Sequence, residues 1–95
     1  MAKHILRLYV SGQTDRSQRA IASWRQFCEN EFAGIEHNFE VIDIVENPGA
    51  AEEAKIFATP TFIKHQPPPV RRIIGELADR EKVLRMLNIS EIERS

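Results

Sequence analysis

One helical pattern between two β-prone runs most constrains the fold of this chain. Residues 16–33 carry apolar side chains at helical spacing with charged and polar residues between them, which predicts an amphipathic helix. Residues 5–10 and 39–45 are short and rich in β-branched and aliphatic residues, as is typical of strands. A strand–helix–strand unit of this length favours a right-handed crossover between parallel strands, with residues 5–10 buried on both faces of the sheet. The apolar helical positions are Ala20, Ile21, Trp24, Phe27, Cys28 and Phe32.

The second half of the chain predicts a short helix, two strands and a final helix. Residues 50–56 are rich in Ala and Glu and long enough for about two helical turns. Residues 59–64 and 70–74 are predicted strands, joined by three prolines that favour a rigid connector over a peptide-recognition segment. A last helix is predicted from about Asp79. The resulting α/β order, βαβαββα, is that of thioredoxin-like proteins.

Length, charge and apolar patterning exclude several classes of protein. Ninety-five residues predict one domain over residues 1–95. The net charge of −1 lacks the basic excess of a nucleic-acid-binding surface, so nucleic acid is not a predicted partner. No apolar run approaches the roughly 18 residues that span a bilayer, and the N-terminus lacks a signal peptide's apolar region. We therefore predict a cytoplasmic protein with no membrane partner.

The residues that could carry out chemistry are few. The loop Ser11-Gly12-Gln13-Thr14 lies where a thioredoxin carries its two thiols, but it offers hydroxyls only. It is either an anion-binding loop at a helix N-terminus or an ordinary turn with an N-cap at Thr14 or Asp15. Cys28 lies on the apolar helical face and is predicted to be buried. The three histidines are far apart, so we predict no metal site. No Gly-rich phosphate loop, Ser-His-Asp arrangement or isolated carboxylate pair stands out, so we predict no cofactor and no enzymatic activity.

Several motifs together point to one family. Residues 6–12 read LRLYVSG, residues 51–61 read AEEAKIFATPT, and residues 67–75 read PPPVRRIIG. On these motifs the chain resembles the KaiB family of circadian clock proteins, which bind the ATPase KaiC. The resemblance covers residues 5–87. It departs from the family at Met86-Leu87-Asn88, where KaiB proteins commonly carry Gly-Leu-Asp.

The resemblance implies a KaiC-type ATPase as partner, with other clock or signalling proteins as further candidates. It implies a protein that docks on the ATPase ring and modulates its phosphorylation state, in circadian timing or a related stress response. Arg71 and Arg72 are adjacent in a strand and point to opposite faces, so one can pair internally while the other faces a partner; a solvated, charged strand edge is the alternative. The implied contact residues are Arg19, Glu52, Glu53, Lys55, Ile56, Ala58, Arg71 and Arg72.

The resemblance also implies two alternative folds. KaiB proteins pass between a thioredoxin-like monomer that binds KaiC and a ground state of topology βαββααβ, so a homo-oligomeric ground state, dimer or tetramer, is expected. Residues 83–89 fit a helix or a strand by periodicity. Met86, in place of the family's glycine, favours the helix by about 0.5–1 kcal/mol. The positions implied in fold switching or structure are Thr59 and Pro60, joined by a cis bond in the thioredoxin-like state, and Pro68, Met86 and Asn88.

Two other functions compete with this interpretation. A degenerate thioredoxin-like redox or glutathione-dependent enzyme would need Ser11 or Cys28 as nucleophile, yet Ser11 has no evident base in the sequence. The KaiB-like sensor domain of a clock histidine kinase would continue into a kinase, whereas this sequence ends at residue 95.

Overall fold

Seven elements follow one another in the order predicted from the sequence. The computed structural model describes residues 3–77 and 80–87. The thioredoxin-like order βαβαββα is therefore confirmed. The elements are β1 (His4–Val10), α1 (Asp15–Glu31), β2 (His37–Asp43), α2 (Pro48–Ala54), β3 (Thr61–Gln66), β4 (Arg71–Ile74) and α3 (Arg80–Met86).

The four strands form one mixed sheet in the order β2-β1-β3-β4. β1 pairs in parallel with β2, as the crossover predicts, but in antiparallel fashion with β3, which also pairs antiparallel with β4. The prediction that β1 is buried on both faces of a parallel sheet was wrong. Leu6 and Leu8 are fully buried, whereas on the other face Tyr9 is buried but Ile5 and Arg7 are only half-buried. In the described part of the chain the second face carries α2 alone, a helix of seven residues, so it is covered less completely than the face that carries α1 and α3.

The hydrophobic core lies between the sheet and α1, with α3 closing it beside β4. The Trp24 indole of α1 stacks on the Phe62 ring of β3, with 4.1 Å between ring centroids and 6° between planes. Phe27 meets Trp24 edge-on at 5.4 Å. From α3, Val83 and Leu84 pack into the same core. Burial of these apolar side chains holds α1 and α3 on one face of the sheet.

Both ends of α1 have a local cause. The Thr14 hydroxyl oxygen accepts a hydrogen bond from the Ser17 backbone N–H at 3.0 Å, so Thr14, not Asp15, is the N-cap and the ordinary-turn interpretation of this loop is confirmed. The helix ends at Glu31, two residues earlier than predicted. Gly34 follows at φ +80°, a left-handed conformation that favours glycine and reverses the chain toward β2.

The proline-rich segments hold three cis peptide bonds. The Thr59–Pro60 bond is cis, as the family resemblance implies. The Gln66–Pro67 and Pro68–Pro69 bonds, on either side of the connector between β3 and β4, are also cis, which the sequence analysis did not anticipate. Pro68 lies between the end of β3 at Gln66 and the start of β4 at Arg71, in a connector as predicted.

Met86, which stands where KaiB proteins commonly carry glycine, lies at the end of α3, so a single substitution tests its effect on the helix. Residues 83–86 are helical, so the strand alternative is not the state observed; Asn88 and the predicted helix start at Asp79 lie outside the described residues. Met86 is the last residue of α3 and is 44% exposed. We expect Met86→Gly to lower the free energy of unfolding by about 0.5–1 kcal/mol, because glycine is a poor helix former. Urea unfolding measures this, with Met86→Ala as control; an equal loss in both variants would assign the effect to packing instead.

Candidate partner-binding surface

The short helix α2 lies on the opposite face of the sheet from α1 and α3. Ile73 of β4 points into the core, so its neighbour Arg72 points to the other face, and the Arg72 side chain reaches α2. Within α2, which the structure describes completely, no residue is buried. A helix with no buried residue contributes little to the core, so its exposed side is available to a partner.

α2 begins two residues before its predicted start. The prediction placed residues 50–56 in this helix and treated Pro48 as a break, but Pro48 is its first residue. Proline suits this position because it lacks only an N–H that would have no partner inside the helix. The Asn47 side-chain amide donates to the Asp43 backbone oxygen at 3.2 Å, which ties the start of α2 to the end of β2.

The C-terminal end of α2 turns sharply at Lys55. The Lys55 backbone N–H donates to the Glu52 carbonyl at 3.2 Å and the Ile56 N–H donates to the Ala51 carbonyl at 2.9 Å, the pair of bonds of a Schellman motif. Lys55 adopts φ 55° and ψ 54°, the left-handed conformation that glycine usually supplies at this point. A lysine there costs about 1 kcal/mol. This turn ends the helix at Ala54, before the predicted end at Ile56.

Arg72 fastens this turn to the sheet. Its guanidinium donates to the Ala54 carbonyl at 2.8 Å and to the Lys55 carbonyl at 3.0 Å. These are carbonyls that the end of a helix leaves without partners, and a cation is favourable at that end of the helix dipole. Of the two arginines, Arg72 is therefore the one that pairs internally, while Arg71 is exposed.

Phe57 is the residue of this surface that the sequence analysis missed. It is 91% exposed, the most exposed of the large apolar side chains in the described residues. Lys55 and Phe57 are both exposed, and Ile56 between them is half-buried. The predicted contact residues 52, 53 and 58 are exposed as well. In the sequence, Phe57 falls between the predicted helix 50–56 and the predicted strand 59–64, so neither pattern singled it out.

The structure does not bring Arg19 to this surface. Arg19 is exposed on α1, which packs on the other face of the sheet. Within the described part of the chain, no hydrogen bond or ion pair links Arg19 to α2. The remaining predicted residues, 52–58 and 71–72, lie in α2, in the segment that follows it and in β4.

The loop that replaces the thioredoxin thiols is occupied by a carboxylate of the chain itself. Asp43, at the end of β2, accepts hydrogen bonds from the Gly12 backbone N–H at 2.9 Å, the Val45 N–H at 3.0 Å and the Gln13 side-chain amide at 3.3 Å. The bond from Gly12 contributes most to lowering the pKa of Asp43 below its usual value. The position where a loop of this kind would hold an external anion is thus filled internally.

A cleft of about 330 Å³ lies beside this loop, and its lining contains no thiol. Cys28 is 1% exposed inside the core, which confirms its predicted burial, and that burial raises the pKa of the thiol to about 12. A thiol with such a pKa forms almost no thiolate at neutral pH, so it is a poor nucleophile. The cleft is lined by Val10, Ser11, Thr14, Arg16, Ser17, Thr59 and Pro60.

Residues 3–77 and 80–87 contain neither a metal-binding cluster nor a membrane-spanning helix. There, no three His, Cys, Asp or Glu side chains are grouped so that they could hold a metal ion. No helix in the same ranges combines the length and apolar character needed to cross a membrane.

Solved structures with the same fold include the SasA N-terminal domain and a thioredoxin. The N-terminal domain of Synechococcus elongatus SasA matches with a TM-score of 0.67 at 19% identity, covering 93% of this chain and 80% of that one. Chloroplastic thioredoxin z matches with a TM-score of 0.68 at 19% identity, covering 98% and 80%. At this identity the matches show the fold alone, and they confirm its thioredoxin-like class.

Sequence relatives identify the family. The KaiB domain family model matches residues 7–89. The circadian clock oscillator protein KaiB of Prochlorococcus marinus strain MIT 9303 is 57% identical over 81 residues, which cover 85% of this chain and 67% of that protein. The KaiB of strain MIT 9312 is also 57% identical over 81 residues, covering 85% and 76%. The chain therefore belongs to the KaiB family of circadian clock proteins.

Proposed function

We propose that this chain is a non-enzymatic protein that binds the ATPase ring of a KaiC-type partner and modulates its phosphorylation state. Family membership supports a role with clock proteins. The binding surface comprises α2, the segment 55–58 and β4, which we call the α2 surface. The protein acts in circadian timing or in a related stress-response system.

The observation that carries this proposal is the left-handed Lys55. A glycine at this turn would avoid the strain, yet the chain places a lysine there. Strained residues that the surrounding structure holds in place cluster at functional sites. Here two hydrogen bonds from Arg72 hold the turn, and the Lys55 side chain is exposed. This combination supports a lysine retained for contact with a partner, with Glu52, Glu53, Ile56 and Ala58 around it. Arg71 is exposed but points to the opposite face of β4 from Arg72.

The competing redox function has less support. It requires a reactive thiol or an activated hydroxyl near the cleft. Cys28 is buried away from solvent with a raised pKa. In the described part of the chain, the groups that line the cleft include hydroxyls and one arginine but no base that could activate a hydroxyl.

Charge reversal at Lys55 tests the proposal. We expect Lys55→Glu to weaken binding to a KaiC-type ATPase ring, measured by biolayer interferometry in ATP, by at least about tenfold, because it places a carboxylate against a partner surface that accepts a cation. Lys55→Gly should also weaken binding while the fold stays at least as stable, since glycine relieves the turn. Lys3→Glu reverses an exposed charge outside the surface and should leave binding unchanged.

Two results would count against the proposal. The first is unchanged affinity in Lys55→Glu. The second is a partner phosphorylation level, followed by gel shift over time, that does not change when the parent chain is added. Arg19→Glu offers a further comparison: because α1 and α2 lie on opposite faces, we expect its effect to be smaller than that of Lys55→Glu.

We further propose that this binding takes place in the cytoplasm and that the unbound chain is a homo-oligomer, dimer or tetramer. Other clock or signalling proteins are candidate partners of the bound form. Light scattering coupled to size exclusion, with and without the ATPase, measures the change of state.

A further inference from the structure

The geometry points to Phe57 as the apolar anchor of the α2 surface and to Arg72 as the positioning residue that holds it. The matching partner site is an apolar pocket beside a carboxylate on the KaiC-type ATPase ring. This inference rests on the proposed function and adds the chemistry of the contact. It also changes the role of Arg72, which the family resemblance implied to be a direct contact.

Phe57 is almost fully exposed to solvent. An aromatic side chain that is 91% exposed leaves nearly all of its apolar surface in water. Aromatic residues in such positions are the side chains that dominate binding energies when a partner buries them in a pocket. Phe57 lies two residues from Lys55, with the half-buried Ile56 between them.

Hydrogen bonds hold the segment that leads to Phe57 in place. The Arg72 guanidinium donates to the last carbonyls of α2, and the Ile56 N–H donates to the Ala51 carbonyl at 2.9 Å. The chain leading to Phe57 is therefore fixed both to β4 and to α2. A side chain presented from a fixed segment loses less conformational entropy on binding than one on a free loop.

The charges define the pocket on the partner. Both donating groups of Arg72 are directed at backbone carbonyls of its own chain, so Arg72 is engaged internally. Lys55 remains as the exposed cation next to Phe57. The complementary surface is an apolar pocket for the ring with a carboxylate at its rim for the ammonium group.

Binding measurements on substituted chains test the anchor. With a KaiC-type ATPase ring in ATP, we expect Phe57→Ala to weaken binding by about 30-fold, as for an interface hot spot. Phe57→Leu keeps an apolar side chain and should lose no more than about threefold. Val45→Ala truncates an exposed apolar side chain outside the α2 surface and should change affinity by less than about twofold.

A double-mutant cycle tests the positioning role. Arg72→Met should weaken binding about fivefold in the parent but less than about twofold in Phe57→Ala, because Arg72 acts through the segment that carries Phe57. Equal losses in both backgrounds would show that Arg72 contacts the partner itself and would overturn this role. NMR amide shifts at Ile56 and Phe57 should change in Arg72→Met while those of α1 stay fixed.

The outcomes also separate this inference from the function beneath it. If Phe57→Ala binds like the parent while Lys55→Glu does not, the anchor is wrong and the proposed function stands. If the parent chain itself does not bind the ATPase ring, the proposed function and the anchor both fall.

Discussion

Trp24→Ala should lower the free energy of unfolding by about 3–5 kcal/mol, the largest effect we expect from a single change in this chain. Trp24 is fully buried, stacked on Phe62 and in edge contact with Phe27. Its removal deletes the contact that joins α1 to β3 and leaves a cavity which the rigid sheet cannot close. Because it is the only tryptophan, urea unfolding should be followed by circular dichroism, not fluorescence.

The matched control for Trp24→Ala is Phe57→Ala, which truncates an exposed aromatic residue and should cost less than about 0.5 kcal/mol. If the Trp24→Ala chain does not fold, Trp24→Phe provides the measurement. The Trp24 indole N–H is buried without a hydrogen-bond partner in the described part of the chain, so phenylalanine loses volume but no hydrogen bond. We expect a loss of about 1–2 kcal/mol. Equal stabilities for the buried and exposed truncations would contradict this account of the core.

The order of elements was predictable from the sequence because each element carries a local signal. The helical stripe of α1 and the β-prone run of β1 each predict their element within a few residues, and Thr14 marks where α1 begins. The burial of Cys28 follows from its place in the same stripe. The KaiB-like motifs then identified the family, which composition and periodicity alone could not do.

The details of the α2 surface were not predictable because they depend on distant parts of the chain. The end of α2 is set by carbonyls that pair with Arg72, 17 and 18 residues further along. The left-handed Lys55 gives no sequence signal, since lysine rarely adopts that conformation. The exposure of Phe57 depends on the path of the segment before β3, which no local pattern in the sequence shows.

The position of α3 was likewise only partly visible in the sequence. Its apolar stripe predicted which face it buries, and Val83 and Leu84 confirm that. What the pattern could not show is the ion pair between Arg80, at the start of α3, and Glu31, the last residue of α1. Glu31 lies seven residues after Trp24, on the same face of α1, and its side chain is fully buried although acidic residues are normally solvated.

Arg80→Met should therefore destabilise the fold by about 2–4 kcal/mol, the second largest effect. It removes a cationic partner from a buried carboxylate, and losing one member of a fully buried pair costs about 3–5 kcal/mol. We expect somewhat less here because the Arg80 side chain is itself 56% exposed and remains partly hydrated. Methionine keeps the apolar length of the side chain, so the loss reports on the charge.

Arg85→Met is the control, since Arg85 is an exposed arginine in the last turn of the same helix and should change the free energy of unfolding by less than about 0.5 kcal/mol. Hydrogen exchange gives the second readout. If the ion pair fastens α3 to α1, the amides of residues 84–87 should lose protection in Arg80→Met before those of α1 do. Equal losses for the two arginine substitutions would contradict a specific role of the ion pair. The apolar contacts of Val83, Leu84 and Leu87, which both variants keep, would then be what holds α3.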